Sequence, residues 1–271
     1  LVDDPFGARV LGGPLERLVQ SLAAAPWPVR LGAWAPLLPL LPWTLYMQVR
    51  TRVIDDALLA FVERGGRQLV ILGAGFDARA WRLRDDLRGA AVFEVDHPAT
   101  HAAKRALFGD DGAVTALAWD FEAEGTRSLP ERLAGLGHDP SQPTFTIWEG
   151  VTMYLTPGAF DDTLDAIQSY SALGSGLAFN YVERRLIERP SAPARIVAAA
   201  VRAVGEPFKL GFAASELQAR LAGRGFVVRD DRELSELAGA LLGERWRAVA
   251  ASGRRFALVE RTATAEVGGG S

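Results

Sequence analysis

From Leu69 onward the chain alternates short apolar runs with longer stretches whose apolar positions recur at helical spacing, the order expected of stacked strand-helix-strand units around a parallel sheet. Leu69–Leu72 reads as the first strand, with a helix over Asp77–Leu87. Val92–Val95 is the second, followed by a helix from Pro98 to Phe108. Val114–Leu117 with a helix over Leu129–Leu136 makes the third unit. Phe145–Trp148 is the fourth strand, and Pro157 opens the next helix, to Tyr170, at the position proline favours. Leu177–Tyr181 is the fifth strand; a helix capped by Ser215 runs to Ala222, and Phe226–Val228 is the sixth. Arg245–Ala250 and Phe256–Glu260 show no helical pattern between them, so an antiparallel hairpin is expected at the sheet edge.

Two segments break this rhythm. Leu31–Val49 carries no charged residue, but Pro36, Pro39 and Pro42 would each remove a helix hydrogen bond, which favours a kinked apolar arm over a membrane span. A helix follows from Arg50 to Glu63 and stops at Gly65-Gly66. Glu183–Phe212, with Pro190, Pro193 and Pro207 around an alanine-rich stretch, reads as a cap inserted after the fifth strand. The expected organisation is an N-terminal helical arm or lid over 1–64, a core over 65–182, a cap over 183–213, the rest of the core over 214–263 and a flexible tail over 264–271.

Length and composition narrow the functional class. With 271 residues, 49% of them hydrophobic, the chain can bury one large core with an appended cap. A formal charge of −3 offers no basic footprint for nucleic acid. There is no cysteine, so disulfides, thiolate metal sites and cysteine nucleophiles are excluded. His97, His101 and His138 stand in no zinc-like spacing with carboxylates, and no metal is expected. No secretory leader is recognisable, and a cytoplasmic location is expected.

The chemistry concentrates where the first strand runs into Gly73-Ala74-Gly75-Phe76-Asp77-Ala78. Glycines there let a ligand approach the backbone, at the carboxyl end of a parallel strand where such sheets bind ligands. Asp96, at the tip of the second strand, can accept from both hydroxyls of an adenosine ribose. The pattern alone fits either a nicotinamide dinucleotide or S-adenosylmethionine (SAM). Asp77 places a negative charge where a pyrophosphate would sit, which favours the phosphate-free, cationic SAM. Asp120 and Glu149 follow the third and fourth strands, so successive strand tips present Gly73, Asp96, Asp120 and Glu149 to one crevice, although each acid could equally cap a loop or a helix.

Several motifs together resemble the leucine carboxyl methyltransferase family, and more closely its bacterial branch of SAM-dependent O-methyltransferases, including polyketide carboxyl methyltransferases of the tetracenomycin type. They are Arg50-Thr51-Arg52 before an Asp-Asp pair, Leu72–Arg79 with Trp81-Arg82-Leu83, Phe93–Pro98 with Lys104, Glu149-Gly150-Val151, and Tyr154–Pro157. The likeness extends from about Arg50 to Phe226, including Gly205-Glu206-Pro207. It implies a class I SAM-methyltransferase fold, Rossmann-like and doubly wound, with a mostly parallel sheet. It also implies that Arg50, or alternatively Arg52, pairs with the methionine carboxylate, that the Gly73-Ala74-Gly75 loop contacts the amino-acid portion, and that Asp96 binds the ribose. Asp120 accepts from the adenine amino group with Phe121 against the ring, where the family more often has leucine. Glu149 holds the ammonium, and Tyr154 lies near the reacting end.

The activity so implied is methyl transfer to a carboxyl or hydroxyl oxygen of a small apolar acid, with no nucleic acid and no stable membrane span involved. A carboxylate acceptor needs no general base; for a phenol or alcohol, His97, His101 or Tyr154 are candidates. The rival readings are an NAD(P)-dependent oxidoreductase, which would lack a visible Tyr-x-x-x-Lys pairing, and a SAM-fold binding protein without turnover.

Overall fold

The computed structural model describes residues 17, 21, 41–109, 112, 114–189, 208–247 and 253–263. Its seven strands form one sheet in the order β3-β2-β1-β4-β5-β7-β6. These are β1 (Gln68–Leu72), β2 (Ala91–Asp96), β3 (Thr115–Ala118), β4 (Thr144–Trp148), β5 (Gly176–Val182), β6 (Phe226–Glu233) and β7 (Arg254–Arg261). The first five pair in parallel, and the order reverses between β1 and β4, which leaves a crevice above the carboxyl end of β1.

Burial follows from the pleat. All five positions of β1 are buried, because helices cover both faces of a parallel sheet and each face needs its own apolar residues. Val70 and Leu72 join one core with Phe93, Trp148, Phe160 and Phe179, whereas Leu69 and Ile71 join the other with Phe145, Ile147 and Ala178. This two-residue alternation is the strand repeat read directly as layers.

The helix before β1 begins earlier than its sequence suggests. α1 runs unbroken over Leu41–Glu63, and Pro42 lies in its first turn, where proline costs no hydrogen bond. Leu45, Tyr46, Val49, Ile54, Leu58 and Phe61 turn one side of α1 onto the sheet. The apolar arm is thus helical from Leu41, and its part over residues 31–40 lies outside the described residues. Among the described residues no helix is long and apolar enough to cross a membrane.

The helix expected over Asp77–Leu87 shrinks to α2 (Arg79–Arg82) followed by turns, in which Leu87 N donates to Leu83 O and Ala90 N to Leu87 O. Those turns still bury Leu83 and Leu87 and expose Arg84, Asp85 and Asp86, so apolar spacing of four is satisfied without a continuous helix. α3 (Pro98–Phe108) and α6 (Pro157–Tyr170) match their patterns, with His97 and Thr156 accepting at their N-termini. Between them lie α4 (Phe121–Glu124) and α5 (Leu129–Gly135).

After β5 comes α7 (Arg184–Glu188); the rest of the expected cap over 190–207, including Gly205-Glu206-Pro207, lies outside the described residues. Its two ends meet, since Phe212 N donates to Val182 O and Arg184 N to Phe212 O. α8 (Ala214–Ala222) starts one residue before Ser215, which therefore does not cap it. The edge hairpin needs correction. Leu234–Leu242 is a helix, α9, closed at its start by a reciprocal Glu233 and Glu236 capping box, and Glu244–Trp246 is a single 3-10 turn where the strand expected over Arg245–Ala250 would begin, residues 248–250 lying outside the described residues. The antiparallel edge pair is consequently β7 with β6, and β7 also pairs antiparallel with β5. α9 packs Leu234, Leu237 and Ala238 into the same core as α1.

Candidate functional site

The loop after β1 turns through Gly73 and Gly75, whose φ angles of 67° and 49° lie in the left-handed region. A side chain is excluded at Gly73 on a second ground, because a Cβ there would lie 2.6 Å from Val151 Cγ2. Gly73 N and Ala74 N both donate to Val95 O, at 2.8 and 3.3 Å, folding the loop across the end of β2. Asp96, at that end, accepts from Gly75 N at 2.5 Å and from His97 N at 2.6 Å. Its carboxylate is held against loop backbone and retains lone pairs for a hydroxyl donor.

Beyond β3, Asp120 accepts from Ala123 N at 3.1 Å and so caps α4, while Phe121 is half-buried against the core. His97 Nε2 stands 4.0 Å from Asp120 Oδ2. His101 is buried, with Nε2 3.1 Å from Leu117 O of β3, a packed position.

The end of β4 carries most of the charge. Glu149 accepts from Arg50 Nε at 2.5 Å on one oxygen and pairs with Arg79 Nη1 at 2.6 Å on the other. Arg79 also donates to Asp55 of α1 at 2.8 Å and pairs with Asp77; Arg82 pairs with Asp55 at 2.7 Å. Three guanidinium groups thus face three carboxylates in one buried network. Burial pushes the Glu149 carboxyl up, but Arg79 and Arg50 together outweigh it and hold it below the usual carboxylate range. Burial likewise disfavours the charged form of Arg79, and Asp77, Glu149 and Asp55 reverse the effect and raise it. Glu149 and Arg79 therefore stay ionised at neutral pH. Asp77 is thereby already neutralised by Arg79, so its charge does not act on the crevice as an isolated anion.

A cleft of about 340 Å³ opens between α1 and the glycine loop, lined among others by Arg50, Thr51, Gly73, Ala74, Phe76, Arg79 and Glu149. Of the residues singled out from sequence, Arg50, Gly73, Ala74 and Glu149 converge on it. Gly75 and Asp96 are joined to each other by a hydrogen bond beside the loop but do not line the cleft, and Asp120 and Phe121, beyond β3, are not among its lining residues either. Arg52 does not face it, because that side chain is exposed and bonded to Asp56 one turn on, at 2.8 and 2.9 Å. Tyr154 lies in a 3-10 turn after β4 with its ring stacked on Phe208, 5.8 Å between centroids. Among the described residues no cluster of three or more histidines and acids is placed to hold a metal ion.

Sequence reasoning passed over three residues that build this site. Arg79 and Asp55 stood inside quoted motifs but received no role, since nothing local says which acid an arginine meets. Asn180, fully buried in β5, accepts from Gly150 N at 2.7 Å and donates to Tyr46 Oη at 3.2 Å. Tyr46 Oη in turn accepts from Arg50 Nη1 at 3.4 Å, so Asn180 ties the turn after Glu149 to the helix that carries Arg50. An asparagine amid the apolar run Leu177–Val182 was the available signal.

The strand order, the glycine turn after β1 and the acids at the tips of β2, β3 and β4 define a class I methyltransferase fold. A DUF574 family protein from Streptomyces avermitilis MA-4680 superposes with a TM-score of 0.59 over 95% of this chain and 97% of its own, at 14% identity. An O-methyltransferase family protein from Burkholderia thailandensis does so with a TM-score of 0.53 over 79% and 57%, at 12% identity. The chain belongs to the leucine carboxyl methyltransferase family, whose model matches residues 1–168, more than half its length. It is 37% identical over 189 residues to a "Putative S-adenosyl-L-methionine-dependent methyltransferase" of Mycolicibacterium smegmatis, covering 69% of this chain and 62% of that one. A protein of the same description from Frankia alni is 36% identical over 146 residues, covering 54% and 51%. The chain therefore spans about half to three fifths of the length of these relatives.

Proposed function

We propose that this chain is a SAM-dependent methyltransferase that acts on the carboxyl or hydroxyl oxygen of a small apolar acid, of the kind found among polyketide-like secondary metabolites. One observation carries the reading: Arg50 and Glu149 meet in a cleft floored by the Gly73-Ala74 backbone. A guanidinium beside a carboxylate matches the carboxylate and ammonium of an amino acid, and the methionine end of SAM is such a group. Asp96 then lies one strand tip away, where the ribose hydroxyls of the same molecule need an acceptor. The residues fit the cofactor in a further respect, since Gly73 and Ala74 both line the cleft and bring loop backbone to it.

SAM supplies an electrophilic methyl group on a positive sulfur. The protein's part is to orient the two reactants, and positioning alone can lower such a barrier by several kcal/mol. A carboxylate acceptor arrives ionised at neutral pH, so no side chain need remove a proton. In this scheme Tyr154 and the start of α1 face the acceptor. Family membership and the bacterial relatives support the methyltransferase reading; the apolar segment before Arg50 supports an apolar acceptor.

Titration calorimetry with S-adenosylhomocysteine tests the cofactor. Asp96→Ala is expected to weaken binding at least about tenfold, from the loss of charge-assisted hydrogen bonds that contribute about 1.5–3 kcal/mol. Binding by that variant as tight as wild type would refute the assignment. Incubation with methyl-labelled SAM and a panel of apolar carboxylic acids and phenols tests the acceptor: label released by mild alkali marks a methyl ester, and label retained marks an ether.

A further inference from the structure

Arg79 has five N–H donors, and its buried guanidinium spends them unevenly. Nε donates to Asp55 at 2.8 Å, Nη1 reaches Asp77 and Glu149, and Nη2 meets no partner among the described residues although it is buried. The side chain is only 4% exposed and lines the cleft. An unmatched donor on a buried cation is costly and calls for an explanation, and unlike Arg220 and Arg261, which also carry one, Arg79 lines the cleft, where a ligand can satisfy it.

The surroundings say what kind of ligand. Asp55, Asp77 and Glu149 already balance Arg50, Arg79 and Arg82, so a bare anion or a bare cation would upset the network. A zwitterion would not. Arg50 and Arg79 converge on opposite oxygens of a single carboxylate, which brings two guanidinium groups together with one bridging acid between them. A second carboxylate entering from the cleft can bridge the same two groups while its neighbouring ammonium takes Glu149. Arg79 is the better organised of the pair, since Asp55 and Asp77 hold it before any ligand arrives.

We infer that Arg79, through Nη2, is a direct ligand of the methionine carboxylate of SAM and shares that carboxylate with Arg50. This rests on the cofactor assignment above, and it makes Arg79 a residue that selects for an intact amino-acid end. The competing account is that Arg79 only rivets α1, the glycine loop and β4 together.

The two accounts separate by ligand. S-adenosylhomocysteine and its decarboxylated analogue, which keeps the amine, thioether and adenosine, are titrated into the whole chain by calorimetry. Wild type is expected to prefer the intact compound by about 100-fold, a gap two charge-assisted contacts can supply. In Arg79→Gln, checked for folding by circular dichroism, the preference should fall about tenfold or more while affinity for the decarboxylated analogue stays within about threefold. Equal losses for both ligands, or an unchanged preference, overturn the inference. Arg79→Lys keeps the charge facing Asp55 and Asp77 but loses the fork; it serves if the glutamine variant unfolds, and there too an undiminished preference counts against Arg79. If wild type binds neither compound, the cofactor assignment itself fails; if it binds both equally, the carboxylate contacts of Arg50 and Arg79 fail together while binding of the nucleoside stands.

Discussion

Single residues in this protein are legible or not according to how local their partners are. Gly73, Gly75 and Asp96 stand within one strand-turn-strand unit, and their placement followed from spacing alone. Arg50 and Glu149 are 99 positions apart, and their contact depends on α1 packing back over the sheet. Lys104 makes a similar point in the core. Its Nζ lies 2.7 Å from Glu94 Oε2, both side chains almost wholly buried, with Lys104 over the Trp81 ring. Burial pushes the Glu94 carboxyl up to about 7, with Lys104 opposing it. Because the folded value exceeds the unfolded one, burying Glu94 costs least at low pH, where it is protonated, and that advantage is lost as pH rises through about 7, where the ionised carboxylate depends on Lys104. Lys104→Met should therefore destabilise the protein by about 3–5 kcal/mol at alkaline pH, where Glu94 must remain a buried lone anion, and by less at acidic pH, where it protonates. Urea unfolding of both proteins at two pH values measures the difference, and a pH-independent loss would show that Glu94 does not titrate as described.

At the level of elements, spans bounded by a chemical signal were readable and those bounded by packing were not. α3 and α6 begin at a proline in the first turn behind a capping side chain, and both begin where the pattern places them. α2 ends early because four-residue apolar spacing also arises in consecutive turns, and α9 went unassigned because Leu234–Leu242 is a short run between two expected strands. The glycine loop is the element on which the site depends most. Gly73→Ala would force an alanine into left-handed backbone and press its Cβ on Val151 Cγ2. A loss of about 1–3 kcal/mol in stability is expected, together with weakened SAM binding. Val151→Ala in the same chain should recover part of it by removing the contact, and thermal melts of the single and double variants read that coupling.

Across the whole molecule, the sheet is a frame on which separate layers lock through a few shared side chains. His138, after α5, sits edge-on between the rings of Phe93 in β2 and Tyr170 in α6, with Nε2 2.8 Å from Thr144 Oγ1 in β4. Burial lowers its pKa, with the nearby Asp139 opposing. A depressed folded value means that the stability it confers is present above the unfolded value near about 6.5 and is lost as pH falls through the lower one. Melting temperature should accordingly drop on the acid side, and His138→Gln, which keeps a partner for Thr144, should flatten that limb. An unchanged limb in the variant would assign the acid loss to other groups.

The amino-acid pattern by itself determined the parallel α/β sheet, the glycine turn after β1 and the strand tips that carry acids, because apolar periodicity and glycine placement act over a few residues. Which charges meet was decided only by the tertiary structure. Asp55, Arg50, Arg79, Asn180 and Glu149 come from four separate elements, and an ion pair depends on ångströms between side chains that no local repeat encodes.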